Sequence, residues 1–223
     1  YDKAISLRWQ LHSPDDDEKA RTYIGLAAAH QNLGDYDSAE KAALEALKIR
    51  EKLFPERTQV FVALMRLAGI YHQAGKTQKC IEYYDRAAAL ADNQHDWSLK
   101  QQAEKRLAEH LESADKLAEA EVEMRKALDL SEKVNGKDSP VNLKDLNFLA
   151  EILLREKKYS EADKLFARSF AQSKNCGYDE LIDLNCSYLI YLLDQKKDAE
   201  AEKAFQSFLT EVRTRFKDTP HYV

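Results

Sequence analysis

Apolar residues recur along the chain at i, i+3, i+4 and i+7, the spacing that lines one face of an α-helix rather than a strand. Tyr23, Leu26, Ala27 and His30 follow it, and so do Leu64, Leu67, Ala68 and Tyr71. After a short break a second stripe repeats the pattern, as Tyr36, Ala39, Ala43 and Ala46 do. The break holds Gly34 or Gly75 in two places and Asp115, Lys157 or Lys196 in three others. Glycine fits a helix end that needs positive φ. The pattern therefore predicts pairs of antiparallel helices joined by tight turns. Neither helix of a pair can bury its apolar face alone, so successive pairs must stack.

Self-similarity sets the period. The stretches 26–47, 67–88, 107–128, 149–170 and 188–209 align, each with a small residue 13 positions after its first: Ala39, Cys80, Ala120, Ala162 and Ala201. Their spacings are 41, 40, 42 and 39. The four prolines keep the same rhythm, with Pro14, Pro55, Pro140 and Pro220 separated by 41, 85 and 80 residues. Ser13-Pro14, Ser139-Pro140 and Thr219-Pro220 each place a hydroxyl residue before proline, a helix-start signal. Asp15, Asp16, Asp17 and Glu18 load one such first turn with acid, as the helix dipole favours. A calcium loop would need an internal Gly and a distant Glu that this run lacks.

Leu26-Ala27, Leu67-Ala68, Leu107-Ala108 and Leu149-Ala150 open four of the units, Gly34-Asp35-Tyr36 turns the first, and alanines recur in the second stripe. This pattern resembles the tetratricopeptide repeat. The linkers at 136–141 (GKDSPV) and 217–223 (KDTPHYV) are similar to those of the longer variety found in kinesin light chains. The resemblance implies an all-α fold, a right-handed α-α superhelix of about five and a half helix-hairpin repeats. Its divisions are expected at 13–54, 55–95, 96–135, 136–177 and 178–216. Residues 1–12 match the second helix of an incomplete repeat, and 217–223 match the start of a further one. Solenoids normally carry polar capping repeats; neither end supplies one, so a piece of a longer array is expected, with self-association through its uncapped ends as a further expectation.

Composition narrows the function classes. Charged residues make up 33% of the 223, above the roughly 25% of an average domain, while six Gly and four Pro exclude a turn-rich β-sandwich. No run of about 18 apolar residues occurs, so no membrane insertion is expected. The net charge of −5 argues against nucleic acid, whose binding needs a basic face. Three cysteines cannot complete a disulfide framework; reduced thiols and the lack of a leading signal sequence point to the cytoplasm.

No Gly-rich phosphate loop, HExxH, CxxC or GxSxG is present, so no catalytic residue and no cofactor are expected, and the chain reads as a non-enzyme. The six histidines form no i, i+4 ligand pair, so no metal site is expected either. His30, on an apolar stripe, reads as a hydrogen-bonded core residue. Cys80 reads as a small buried hydrophobe. The sequon at Asn185-Cys186-Ser187 falls inside a predicted helix and is discounted.

What remains is binding. In the family this chain resembles, first helices line the concave wall and hold a peptide or partner helix. Helical spacing selects the inner stripe: Arg21, Ile24, Ala28, Gln31 and Asn32 in the first unit; Val62, Met65, Gly69, His72 and Gln73 in the second; Gln102, Lys105, Glu109, Glu112 and Ser113 in the third. Lys144, Asn147, Glu151, Leu154 and Arg155 follow in the fourth, and Asp183, Cys186, Ile190, Leu193 and Asp194 in the fifth. The carboxylate clamp of chaperone-binding relatives uses Lys and Asn at positions that here hold Ile24 and Ala28, so C-terminal carboxylate capture is not expected. Of the paired asparagines typical of the kinesin-light-chain groove, only Asn147 stands.

Overall fold

A computed structural model of the chain describes residues 16–53 and 58–216. The expected helix at 1–12 and the opening of a further repeat at 217–223 lie outside them, as do Pro14, Pro55 and Pro220. Ten α-helices are present among the described residues: α1 Asp16–Asn32, α2 Tyr36–Leu53, α3 Thr58–Gln73, α4 Thr77–Asn93, α5 Trp97–Ser113, α6 Leu117–Asn135, α7 Leu143–Arg155, α8 Tyr159–Gln172, α9 Tyr178–Asp194 and α10 Asp198–Arg215. Short 3₁₀ turns at Pro140–Asn142 and Ser173–Asn175 join α6 to α7 and α8 to α9.

The turns show why the helices stop where they do. Gly34 and Gly75 lie at φ 75° and 67°, and Asp115, Lys157 and Lys196 at 59°, 61° and 57°. At each of four of these turns the residue after the left-handed one donates its amide back five positions: Asp35 to His30, Lys76 to Tyr71, Lys158 to Leu153 and Lys197 to Leu192. This is the Schellman closure, which satisfies carbonyls the helix end would otherwise leave open. His95, at φ 55°, turns α4 into α5 by the same route, with Asp96 donating to Ala91. Asp96 then caps α5, its carboxylate accepting from the Leu99 amide. Ser139 accepts from the Val141 amide ahead of Pro140, but the first turn it starts is 3₁₀, and α7 begins only at Leu143.

The chain forms two compact units, Tyr1–Asp115 and Lys116–Val223. In the first, α1 packs on α2, α2 on α3, α3 on α4 and α4 on α5, with α1 also touching α3. α3 is buried on a broad band comprising Val60, Phe61, Ala63, Leu64, Leu67, Ala68, Ile70 and Tyr71, because helices cover it on several sides. Each large side chain sealed in this way contributes about 1.5–3 kcal/mol. In the second, α6 packs on α7, α7 on α8 and α9, and α9 on α10. Leu146, Leu149, Ala150, Ile152 and Leu153 of α7 fill its centre. A satellite cluster of Leu143, Cys176 and Leu181 is covered by Phe208, Val212 and Phe216. The small-residue column is sealed in every unit: Ala39, Cys80, Ala120 and Ala162 are fully buried and Ala201 is 5% exposed.

His30 departs from the core role expected of it. It is half-buried, and its Nδ1 lies 3.2 Å from an Asp35 carboxylate oxygen at the α1–α2 turn. Tyr71, its counterpart one unit on, is the buried residue, and its hydroxyl donates to Glu40 at 2.9 Å.

Candidate functional site

In the first unit, α1, α3 and α5 present a shared face with a cavity of about 530 Å³. Of the inner-stripe residues selected by helical spacing, Gln31, Val62, Met65, Gly69, His72, Gln73, Gln102 and Glu109 line it; Arg66, Arg106 and His110 line it too. Gln31 donates through Nε2 to Gln73 Oε1 at 3.0 Å, and Arg66 donates to Gln31 Oε1 at 3.3 Å. Arg106 pairs with Glu109 at 2.7 Å. Val62 is 43% exposed, and the nearest side-chain atom to a methyl placed on Gly69 would be Gln31 Nε2 at 3.9 Å, so apolar surface and open space lie beside amides.

The other predicted residues of this unit stand outside the cavity. Arg21 is exposed and pairs with Asp17 at 2.8 Å. Asn32 is exposed, while Ile24, Lys105 and Glu112 are half-buried.

In the second unit several predicted inner residues are tied to side chains of their own or a neighbouring helix. Lys144 of α7 pairs with Glu180 of α9 at 3.2 Å, which holds the Lys144 ammonium above its ordinary pKa. Asn147 is buried rather than offered to a ligand, donating from Nδ2 to Glu151 Oε1 and to Ser187 Oγ, both at 3.0 Å. Ser187 donates in turn to Glu151 at 2.5 Å. Arg155 is exposed. The discounted sequon has no accessible amide, since Asn185 is buried and donates to the Leu181 carbonyl at 2.8 Å.

Packing also creates a constellation that single-helix spacing misses. His72 and His110 stand 38 residues apart, yet their Nδ1 atoms are 2.7 Å from each other, with the rings edge to face at 77°. Ligand atoms of His72, Cys80 and His110 all lie within 4.8 Å of one another. Cys80 and His110 are buried and His72 is exposed. Burial pushes the Cys80 thiol up to about 12, so without a metal it is a neutral thiol at physiological pH. All three cysteines are free, and only Cys186 is exposed.

One family profile, described as tetratricopeptide repeat, matches residues 1–52 and 99–175, and a second of the same description matches 62–94. The chain belongs to the tetratricopeptide-repeat (TPR) family. No curated protein matches it significantly. Among solved structures, a Podosopora anserina protein assigned as a kinesin light chain, with nearly identical TPR-like repeats, is 16% identical at a TM-score of 0.73, covering 93% of this chain and 100% of its own. BtubC (BKLC) from P. vanneervenii is 19% identical at 0.70, covering 97% and 88%. A Rap protein complexed with Competence and Sporulation Factor is 17% identical at 0.64, covering 99% of this chain and 64% of its own. At these identities the likeness shows the fold, an α-α superhelix class of TPR hairpins of the kinesin-light-chain type. No helix among the described residues is long and apolar enough to cross a membrane.

Proposed function

We propose that this TPR array is a non-catalytic protein-interaction scaffold and that the α1/α3/α5 face of its first unit binds an extended peptide. The observation that carries this reading is the open cavity of about 530 Å³ lined by amides beside apolar surface. Gln31, Gln73 and Gln102 supply donors and acceptors that match a peptide main chain. Val62, Met65 and the bare Gly69 leave room for the backbone and for one or two apolar side chains. The pairing of Gln31 with Gln73 keeps these amides satisfied until a ligand exchanges for them. That a Rap protein of the same fold is held with Competence and Sporulation Factor supports the reading.

Selection of binders from a random peptide display library, followed by titration calorimetry, tests it. Met65 is half-buried and Gln73 exposed, so Met65→Glu and Gln73→Ala leave the hairpins intact. Each is expected to weaken a selected peptide by about tenfold or more, the loss of roughly 1.4 kcal/mol. A peptide that binds both variants undiminished refutes the site.

A further inference from the structure

We propose that His72, Cys80 and His110 form a mononuclear Zn²⁺ site that joins α3, α4 and α5, with its fourth position left for water or a ligand in the adjoining cavity. His72 comes from the last turn of α3, Cys80 from the first turn of α4 and His110 from the last turn of α5. Three helix ends thus deliver two imidazoles and one thiol to one point, with every donor pair within 4.8 Å. Two nitrogens and one sulfur, plus an open position, are a donor set suited to zinc rather than to calcium or magnesium, which take oxygen.

The 2.7 Å separation of the two Nδ1 atoms bears on the geometry. Two imidazoles this close share one proton between them, so one lone pair already points into the gap. Zn–N near 2.05 Å and Zn–S near 2.3 Å in a tetrahedron put the nitrogens about 3.3 Å apart and each about 3.5 Å from sulfur. The rings therefore part by about 0.6 Å and the thiol closes by up to about 1.3 Å. His72, which is exposed, has the freedom to make most of that movement. On binding, the Cys80 thiol proton leaves to solvent, and the imidazole that carried its proton on Nδ1 carries it on Nε2. No other co-reactant is needed.

The sequence adds an independent point. In the other four units the column that Cys80 occupies holds alanine: Ala39, Ala120, Ala162 and Ala201. Alanine therefore packs at this position in the repeat, and the thiol is not needed to fill it. In this unit alone the column places sulfur beside two histidines.

Cobalt(II) titration of the chelator-stripped, reduced chain tests the site, because a thiolate ligand produces a charge-transfer absorption. One equivalent is expected to bind with that band, zinc is expected to displace it, and the melting temperature is expected to rise with either metal. Cys80→Ala, which restores the residue of the other units, should remove the band and weaken zinc binding by at least about tenfold. His72→Ala, a change at an exposed position, should weaken it similarly. Cys186→Ser should retain the band. A native chain that shows no thiolate band overturns the proposal, as does a band that survives Cys80→Ala or is lost with Cys186→Ser.

Discussion

Replacing Lys157 by glycine is expected to stabilise the second unit. Lys157 closes the α7 end at φ 61°, with its amide donating to Leu154 at 2.9 Å and the Lys158 amide to Leu153 at 2.8 Å. An L-residue held in this left-handed conformation is strained by about 1–2 kcal/mol, a penalty glycine escapes. Glycine gives back about 0.4–1 kcal/mol through the greater freedom of the unfolded chain. The Lys157 side chain is exposed, so its removal forfeits little packing. The net gain is about 0.5–1 kcal/mol. For a chain of this length that raises the melting temperature by about 1–4 °C. Lys196→Gly, at φ 57° in a turn with its own hydrogen bonds, should add a similar increment.

The reciprocal change separates backbone strain from other causes. Gly34 lies at φ 75°, and a methyl group built on it meets nothing within 4 Å. Gly34→Ala thus imposes the left-handed penalty without a clash and should destabilise by about 1 kcal/mol. Urea midpoints followed by circular dichroism measure both effects, and hydrogen exchange at the Lys158 amide, expected to slow in Lys157→Gly, localises the gain. If Lys157→Gly leaves the midpoint unchanged or lowers it while Gly34→Ala lowers it, left-handed strain does not govern the non-glycine turns, and the argument fails.

Two further outcomes follow from packing and charge. Ala162 is fully buried in the small-residue column, so Ala162→Phe should destabilise by about 1–3 kcal/mol through overpacking, whereas Ala167→Phe at an exposed position of the same helix should not; equal melting temperatures for both would place the column wrongly. Burial alone would raise the Glu121 carboxyl, but Lys158 at 2.5 Å and Arg125 at 2.6 Å override it and hold it at about 2. With the unfolded value near 4.3, this carboxylate stabilises the fold fully above about pH 4.3, and its contribution is lost as pH falls toward 2. Glu121→Gln should flatten the decline of stability over that range in an acid titration; an unaltered slope would refute the assignment.

How far the sequence carries the fold depends on the reach of each interaction. The five break positions, Gly34, Gly75, Asp115, Lys157 and Lys196, all adopt positive φ, because a helix end is decided by a handful of neighbouring residues that a periodicity reading sees together. The buried column at Ala39, Cys80, Ala120, Ala162 and Ala201 was legible for a related reason: repetition at a fixed period exposes it even where one member is not alanine. The site was harder. Asn147 sits on the stripe that spacing marks as the exposed inner wall, yet α9 lies alongside and its Ser187 takes the amide. A helix's own period gives the direction of a side chain and says nothing about what the next hairpin places against it.

The repeat period supplies the missing rule. First helices of consecutive hairpins stack side by side within a unit, so a residue meets a partner roughly one period along the chain. Gln31 reaches Gln73 at an offset of 42, Arg66 reaches Gln31 at 35, Asn147 reaches Ser187 at 40, and His72 reaches His110 at 38. Each pair links two helices, and neither helix's sequence taken alone names the partner. A histidine pair in such an array therefore need not stand at i, i+4 on one helix. In a stacked array two ligands on one helix are one way to build a site, and two on neighbouring helices at an offset near 40 are the other. Chemistry of the second kind is visible in sequence only when the repeats are aligned first and residues of the same face are then compared across them.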